Sequence, residues 1–242
     1  MYHSITIGDK NTWDDWHLVA EERPLFNPPE LKTNYIEIPG SDTILDFTES
    51  LTGYPTYYNR KGSWEFYVMN GYQSWDKLYT EIMEYLHGLT HKAFLEDDPD
   101  YYYVGRFTVN EWKSEPQWSK IVIDYNVEPY KLAKLTSIED NSLKAHFSNI
   151  SINSETEIVK NYSPLIGRKP VCPIFKVSST DGNGMIIHLY NKELNIDITG
   201  KFEDGETQSP EYMFSRIRPN NELTVGFIGK GTVDIKFRNG RL

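Results

Sequence analysis

At 242 residues the chain is long enough for one large β domain or two of ordinary size, and its 38% hydrophobic and 25% charged residues keep it clear of the disordered class. A net charge of -10 excludes nucleic acid or an anionic membrane surface as the main partner, because both are held by clustered Lys and Arg. Aromatic residues reach 14%, with 17 Tyr among them, which favours pleated, half-buried surfaces and large contact surfaces and predicts a mostly stranded protein.

The first residues, from Met1 through Gly8, lack the basic stretch and apolar run of a signal peptide, and no later stretch reaches membrane-spanning length. The expectation is synthesis in a cytoplasm and no membrane anchor. Residues 1–72 carry short strand-like runs, including 34–39 and the alternation of Trp64, Phe66 and Val68 with Ser63, Glu65 and Tyr67. Between these runs, residues 40–60 form a polar arm punctuated by Gly40, Gly53 and Pro55, predicted as a long hairpin or extended loop. Loops of that length are uncommon without a role.

One helix is predicted over 74–87, where Trp75, Leu78, Ile82, Tyr85 and Leu86 share a side at helical spacing. Ser74 caps its first turn, Asp76 suits the dipole and Gly88 ends it. The stripe reads as core packed on a sheet. Strand patterns resume at 101–110 and 120–128 and stop at Glu128-Pro129-Tyr130. Residues 131–141 are polar and without β period, which places a domain join near Leu135 and divides the chain into 1–134 and 135–242.

Beyond the join the pattern is purely β, with runs at 143–152, 173–177, 185–190, 194–198, 223–227 and 233–237. Asp181-Gly182 and Asn183-Gly184 suit primed hairpin turns, and Gly229-Lys230-Gly231 suits a hairpin before the last strand. Many short strands without a helix between them indicate an antiparallel sandwich. The fold class is mainly β: a β-rich α+β first domain with one helix, then a β-sandwich.

Catalytic, metal and cofactor chemistry has little to stand on. His87 and His91 are four residues apart but straddle the helix-ending Gly88, with no recognised ligand motif around them. Glu96, Asp97, Asp98 and Asp100, and again Glu203, Asp204 and Glu206 around Gly205, cluster carboxylates without calcium-loop spacing, so each reads as a solvated acidic turn. The run from Gly226 through Gly231 has the glycines of a phosphate loop but is followed by a β pattern instead of a helix. Cys172, the one cysteine, has no His or basic neighbour to activate it and no partner for a disulfide. Asn149 and Asn161 begin glycosylation patterns that lack a secretory context. No catalytic, cofactor-binding or metal-binding residue is assigned, and the chain is expected not to be an enzyme.

An ordered set of motifs is informative instead. Ile38-Pro39-Gly40, then Leu45-Asp46-Phe47-Thr48, Tyr58 and Arg60, lead into the aromatic strand at Trp64, and the helix follows. Further on come Asp98-Pro99-Asp100-Tyr101-Tyr102-Tyr103-Val104-Gly105-Arg106, Glu128-Pro129-Tyr130 and the closing strand from Gly231 to Leu242. In this order they resemble the distal tail proteins (Dit) of long-tailed phages, strongly over residues 1–134 and more weakly beyond. The resemblance implies a structural virion protein of the tail tip or baseplate, made in the host cytoplasm and assembled as a homohexameric ring between tail tube and tip. It implies that the first domain forms the ring and that a galectin-like second domain points outward, where it can hold receptor-binding or other baseplate proteins. A tail-tube protein and a tail-tip hub protein would be its axial partners, and DNA would cross the channel without specific binding. The residues of the ring contacts stay unassigned.

Two other classes are open. A sandwich rich in Trp and Tyr can stack sugar rings as a carbohydrate-binding protein, and abundant carboxylates leave room for a glycoside hydrolase pair. A tube or hub subunit is a close structural variant of the first reading.

Overall fold

The structure is a computed structural model that describes residues 3–50, 52–69, 75–114, 119–134, 146–162, 169, 173–191, 196–207, 223–236 and 240–242. The chain divides into two compact units, residues 1–134 together with the terminal Leu242, and residues 135–241. Strand dominates both, and α1 (Trp75–Leu86) is the one α-helix among the described residues. Among the described residues no helix is long and apolar enough to cross a membrane.

In the first unit β1 (Ile5–Ile7), β2 (Lys10–Asn11), β3 (Leu18–Ala20), β6 (Arg60–Val68), β7 (Leu89–Leu95), β8 (Tyr101–Ser114) and β9 (Ser119–Val127) form one antiparallel sheet in the order β2-β1-β7-β8-β9-β6-β3. Alternation places Trp64 and Phe66 of β6, and Ile121, Ile123, Tyr125 and Val127 of β9, on the buried face. Helix α1 covers that face with Leu78, Ile82 and Leu86, which join Ile5, Ile7, Phe107 and Trp16 in one core. Trp75 is half-buried and stacks with Trp112 and Tyr79 at the edge of this core. The helix begins one residue after Ser74, which lies outside the described residues, and ends before His87.

Residues 131–141 were expected to lack strand. Lys131–Ala133 is nevertheless a strand, β10, whose Leu132 and Ala133 pair with Tyr102 and Tyr101 of β8. Leu132 and Ala133 are buried, and two apolar residues between polar neighbours are too few to register as a period. The rest of that stretch, Leu135 included, lies outside the described residues.

The second unit is a six-stranded antiparallel sheet folded on itself, made of β11 (His146–Tyr162), β12 (Ile174–Ser179), β13 (Met185–Asn191), β14 (Ile196–Phe202), β15 (Gly205–Thr207) and β16 (Leu223–Lys236). Two turn assignments need correction. Gly229-Lys230-Gly231 is no hairpin: β16 runs through it without a break, and β11 pairs along its length with two irregularities in register. Nor does Asp181-Gly182-Asn183-Gly184 join a hairpin, because β12 and β13 do not pair with each other. They lie end to end along the same edge of β16, β12 against Gly231–Lys236 and β13 against Thr224–Ile228.

The physical reason is at the crease. Gly229 and Gly231 have φ of 144° and 150°, a glycine conformation that bends an extended chain instead of reversing it. A Cβ on Gly231 would stand 2.2 Å from the Ser178 carbonyl oxygen. The sheet therefore turns a corner there, and side chains from its two halves meet in a single core. Phe175, Val177, Val233 and Ile235 come from one half, and Ile187, Leu189, Val225 and Phe227 from the other.

Candidate interaction surface

Residues before the arm are fastened to the first unit by an aromatic box. Phe26 packs against Tyr103 at 4.1 Å between ring centroids and edge-on against Trp64 and Tyr125, both at 4.9 Å. The Trp64 indole N–H donates to the Leu25 carbonyl at 2.8 Å, and the Asn27 N–H donates to the Tyr125 hydroxyl at 2.9 Å. Burial raises the phenol pKa of both Tyr103 and Tyr125, so both stay neutral donors and acceptors.

Arg60 closes the root from the other side. Its guanidinium is buried, donating from Nε to the Pro129 carbonyl and from Nη1 to the Asn27 carbonyl, each at 2.8 Å, with Tyr103 underneath at 5.4 Å. Burial pulls its pKa below the ordinary value, but an arginine keeps its charge. Tyr57 meets Tyr130 edge-on at 6.0 Å. Arg60 and Glu128-Pro129-Tyr130, far apart in sequence, thus come together at one place.

From that root the arm extends as a ladder. Lys32 and Tyr58 donate their backbone N–H groups to the carbonyls of Thr56 and Glu30, both at 2.8 Å, and Leu31 bridges Tyr57. The end of the arm is the hairpin of β4 (Tyr35–Glu37) and β5 (Ile44–Asp46), paired Tyr35 to Asp46, Ile36 to Leu45 and Glu37 to Ile44. Asp46 accepts the Thr48 N–H at 2.8 Å, and hydrogen bonds from Thr48 hold its carboxyl below the usual range. The Asn34 N–H donates to the Thr48 hydroxyl at 3.1 Å.

All six strand residues of this hairpin are exposed. Directly paired residues share a face, and each face continues with every second residue. One face therefore carries Ile36 and Leu45 at its centre, extended by Ile38 and Phe47, with the small polar residues Thr43 and Asn34 opposite them at its two ends and no charged residue. The four apolar side chains are 49%, 40%, 42% and 38% exposed. The other face mixes Tyr35 and Ile44 with Glu37 and Asp46. A two-stranded hairpin is marginal by itself, and a contiguous apolar face in solvent marks a contact surface.

His91 donates from Nε2 to the Tyr85 carbonyl at 2.8 Å and stacks on the Tyr85 ring, while His87 is exposed, donates its backbone N–H to the Met83 carbonyl and bridges Phe107 through its backbone. The acidic turn is divided among separate partners: Glu96 accepts the Ser4 N–H, Asp97 pairs with Arg23 and Asp98 pairs with Lys131. Among the described residues no group of three or more His, Cys, Asp or Glu side chains could hold a metal ion. Asp204 accepts the Ser179 N–H at 2.7 Å, and Glu203 pairs with Lys201. Asn149 and Asn161 both lie in β11, and Cys172 lies outside the described residues.

One cluster has no counterpart among the sequence candidates. On the outer face of the second unit, Glu157 of β11 accepts hydrogen bonds from His188 Nδ1 at 2.6 Å and from the Tyr190 hydroxyl at 2.8 Å, both on β13. These residues meet across β16 because Gly226 stands between them: a Cβ there would lie 2.1 Å from Glu157 Oε1. Only strand register reveals the group, since its members are 31 and 33 residues apart.

No family model and no curated protein matches the chain. Among solved structures, the crystal structure of the Dit protein of phage SPP1 matches over 100% of both chains, with a TM-score of 0.62 and 12% sequence identity. The fold is that of SPP1 Dit. That protein is described as a paradigm of the hub adsorption apparatus in phages that infect Gram-positive bacteria. The Dit fold covers both units of the present chain, the second as well as the first, although the motifs that suggested it are concentrated before residue 135.

Proposed function

We propose that this chain is a structural subunit of a phage tail tip, assembled as a homohexameric ring that joins the tail tube to the tip and gives peripheral adhesion proteins a place to attach. The observation that carries the reading is the exposed apolar face of the β4–β5 hairpin, on a chain with a Dit fold over its full length. An arm fastened at its root by Arg60 and bare at its end is suited to a head-to-tail contact, and such contacts close into a ring when the rotation is right. In this reading the first unit makes the ring, the second faces outward, DNA passes through the channel unbound, and no catalytic step is involved.

The experiment is native mass spectrometry of the purified full-length chain over a concentration series, with negative-stain class averages of the largest species. A six-copy species with six-fold averages is the expected result. A chain that stays monomeric at every concentration overturns the ring.

A further inference from the structure

We infer that the arm of one copy is received by a groove on the first unit of the next copy, where Lys134 at its side and Lys92 on the adjoining Tyr102 ring recognise the arm's carboxylates; this rests on the ring reading above. The groove lies on the face of the sheet opposite the helix, and it has a volume of about 470 Å³. Phe94, Leu95 and Pro99 supply its apolar lining, with Lys134 at its side. Phe94 and Tyr102 stand 5.5 Å apart between centroids, with Lys134 Nζ over the Phe94 ring at 5.4 Å and Lys92 Nζ over the Tyr102 ring at 5.3 Å. Neither ammonium has a carboxylate partner among the described residues, in a protein where acidic residues outnumber basic ones 35 to 25. The one carboxylate in the lining, Glu96, is engaged by the Ser4 N–H at 3.2 Å.

The arm has the complementary character. Beyond Lys32, whose ammonium lies over the Tyr58 ring at the start of the ladder, residues 33–59 contain Glu37, Asp42, Asp46 and Glu49 and no Lys or Arg. Its apolar face of Ile36, Ile38, Leu45 and Phe47 needs an apolar surface to cover it. The side chains of Glu37 and Asp42 have no hydrogen-bond or ion-pair partner among the described residues. The groove offers a ring and aliphatic surface for the apolar face, and the Lys134 ammonium at its side and the Lys92 ammonium on the adjoining Tyr102 ring lie within a Debye length of whichever carboxylates border it. Cations already held over aromatic rings are partly desolvated, which strengthens their attraction for an incoming anion. A second copy is the occupant that joins both features, because each copy carries one arm and one groove, as a head-to-tail contact requires.

Two charge-reversed proteins test the pairing, both read by native mass spectrometry and by light scattering after size exclusion. The first carries Lys92→Glu with Lys134→Glu, so that its arm is native and its groove is acidic. The second carries Glu37→Lys with Asp42→Lys, so that its groove is native and its arm is basic. Each alone is expected to assemble with a midpoint concentration at least about tenfold higher than the native chain, because like charges now face each other. Mixed in equal amounts they are expected to assemble again, each arm meeting a groove of opposite sign.

A covalent check does not depend on charge. In a Cys172→Ser background, Ile36→Cys on one protein and Phe94→Cys on another are expected to give a disulfide-linked pair of unlike chains under mild oxidation. Rings that form normally from either reversed protein alone, or the absence of that disulfide in assembled rings, overturn the groove and leave the ring standing. A native chain that never assembles overturns both.

Discussion

Arg60 donates from Nε to the carbonyl of Pro129 at 2.8 Å, which ties the residue that closes the arm to the turn that ends the β9 run. The same guanidinium holds the Asn27 carbonyl, so one buried cation bonds the strand leaving the arm, the segment entering it and the end of the sheet. Arg60→Ala leaves the Pro129 and Asn27 carbonyls without their charged donor, and we expect a loss of about 1.5 to 3 kcal/mol. Arg60→Lys is expected to recover less than half of that, since one ammonium cannot reproduce the fork that spans both carbonyls. Urea unfolding of the full chain, followed by tryptophan fluorescence, measures both. Native stability in the alanine variant would mean that the root does not depend on this residue.

Leu78 lies at the centre of the helix stripe and is buried with Ile82 and Leu86 against the sheet. Leu78→Ala should cost about 2 to 5 kcal/mol, the range found for buried leucines truncated in well-packed cores. Its neighbour Lys77 is exposed, and Lys77→Ala should stay within about 0.5 kcal/mol. Thermal melts of the two variants side by side check the packed face against the solvent face.

The legibility of the fold followed the kind of signal available. Helical spacing is local and dense, so α1 was readable to within a residue at each end. Alternation located most strands, but β16 was divided in two because glycines flanking Lys230 look like a turn when only the chain itself is seen. What gives Gly229 and Gly231 their extended role is the Ser178 carbonyl and the Met185 side chain lying against them, a contact between strands that no local pattern encodes. The arm was readable as an arm from its Gly and Pro content. Its apolar face was not, because Ile36, Ile38, Leu45 and Phe47 become one surface only once the register of β4 against β5 is known. The Glu157 cluster is the extreme case, with three residues on two strands meeting across a third.

Glu157 ties acid stability to that cluster. The Tyr190 hydroxyl first, then His188, hold its carboxyl below the ordinary value of 4.5. A carboxylate with a depressed folded pKa stabilises the fold above its unfolded pKa, and that contribution is lost as pH falls through the folded value. We therefore expect the melting temperature of the native chain to drop more steeply below about pH 4.5 than that of Glu157→Gln, which keeps the acceptor oxygen but cannot titrate. Near pH 7 the variant should melt lower than the native chain, with the difference closing as the medium becomes acidic. Because the side chain is about a third exposed, salt is expected to narrow the difference as well. Parallel curves at all pH values would show that the cluster does not couple to folding.

Gly231 tests the crease itself. Its φ of 150° is costly for any residue with a Cβ, and that Cβ would stand 2.2 Å from the Ser178 carbonyl oxygen and 2.8 Å from Met185 Cε. A flexible methionine end can move aside, but the Ser178 oxygen belongs to the backbone of β12, which is paired to β16 through the whole run from Ile174 to Ser179. Relieving the clash means separating the strands where the sheet changes direction, and the core formed between its two halves would open with them. Gly231→Ala is accordingly expected to cost about 2 to 6 kcal/mol, the sum of overpacking and backbone strain. Gly40→Ala is the control, because Gly40 also has positive φ, at 80°, but nothing lies within 4 Å of the added atom. It should show the backbone cost alone, about 1 to 2 kcal/mol. Equal losses from the two substitutions would mean that the close approach at Gly231 contributes nothing, and the crease would then need another cause.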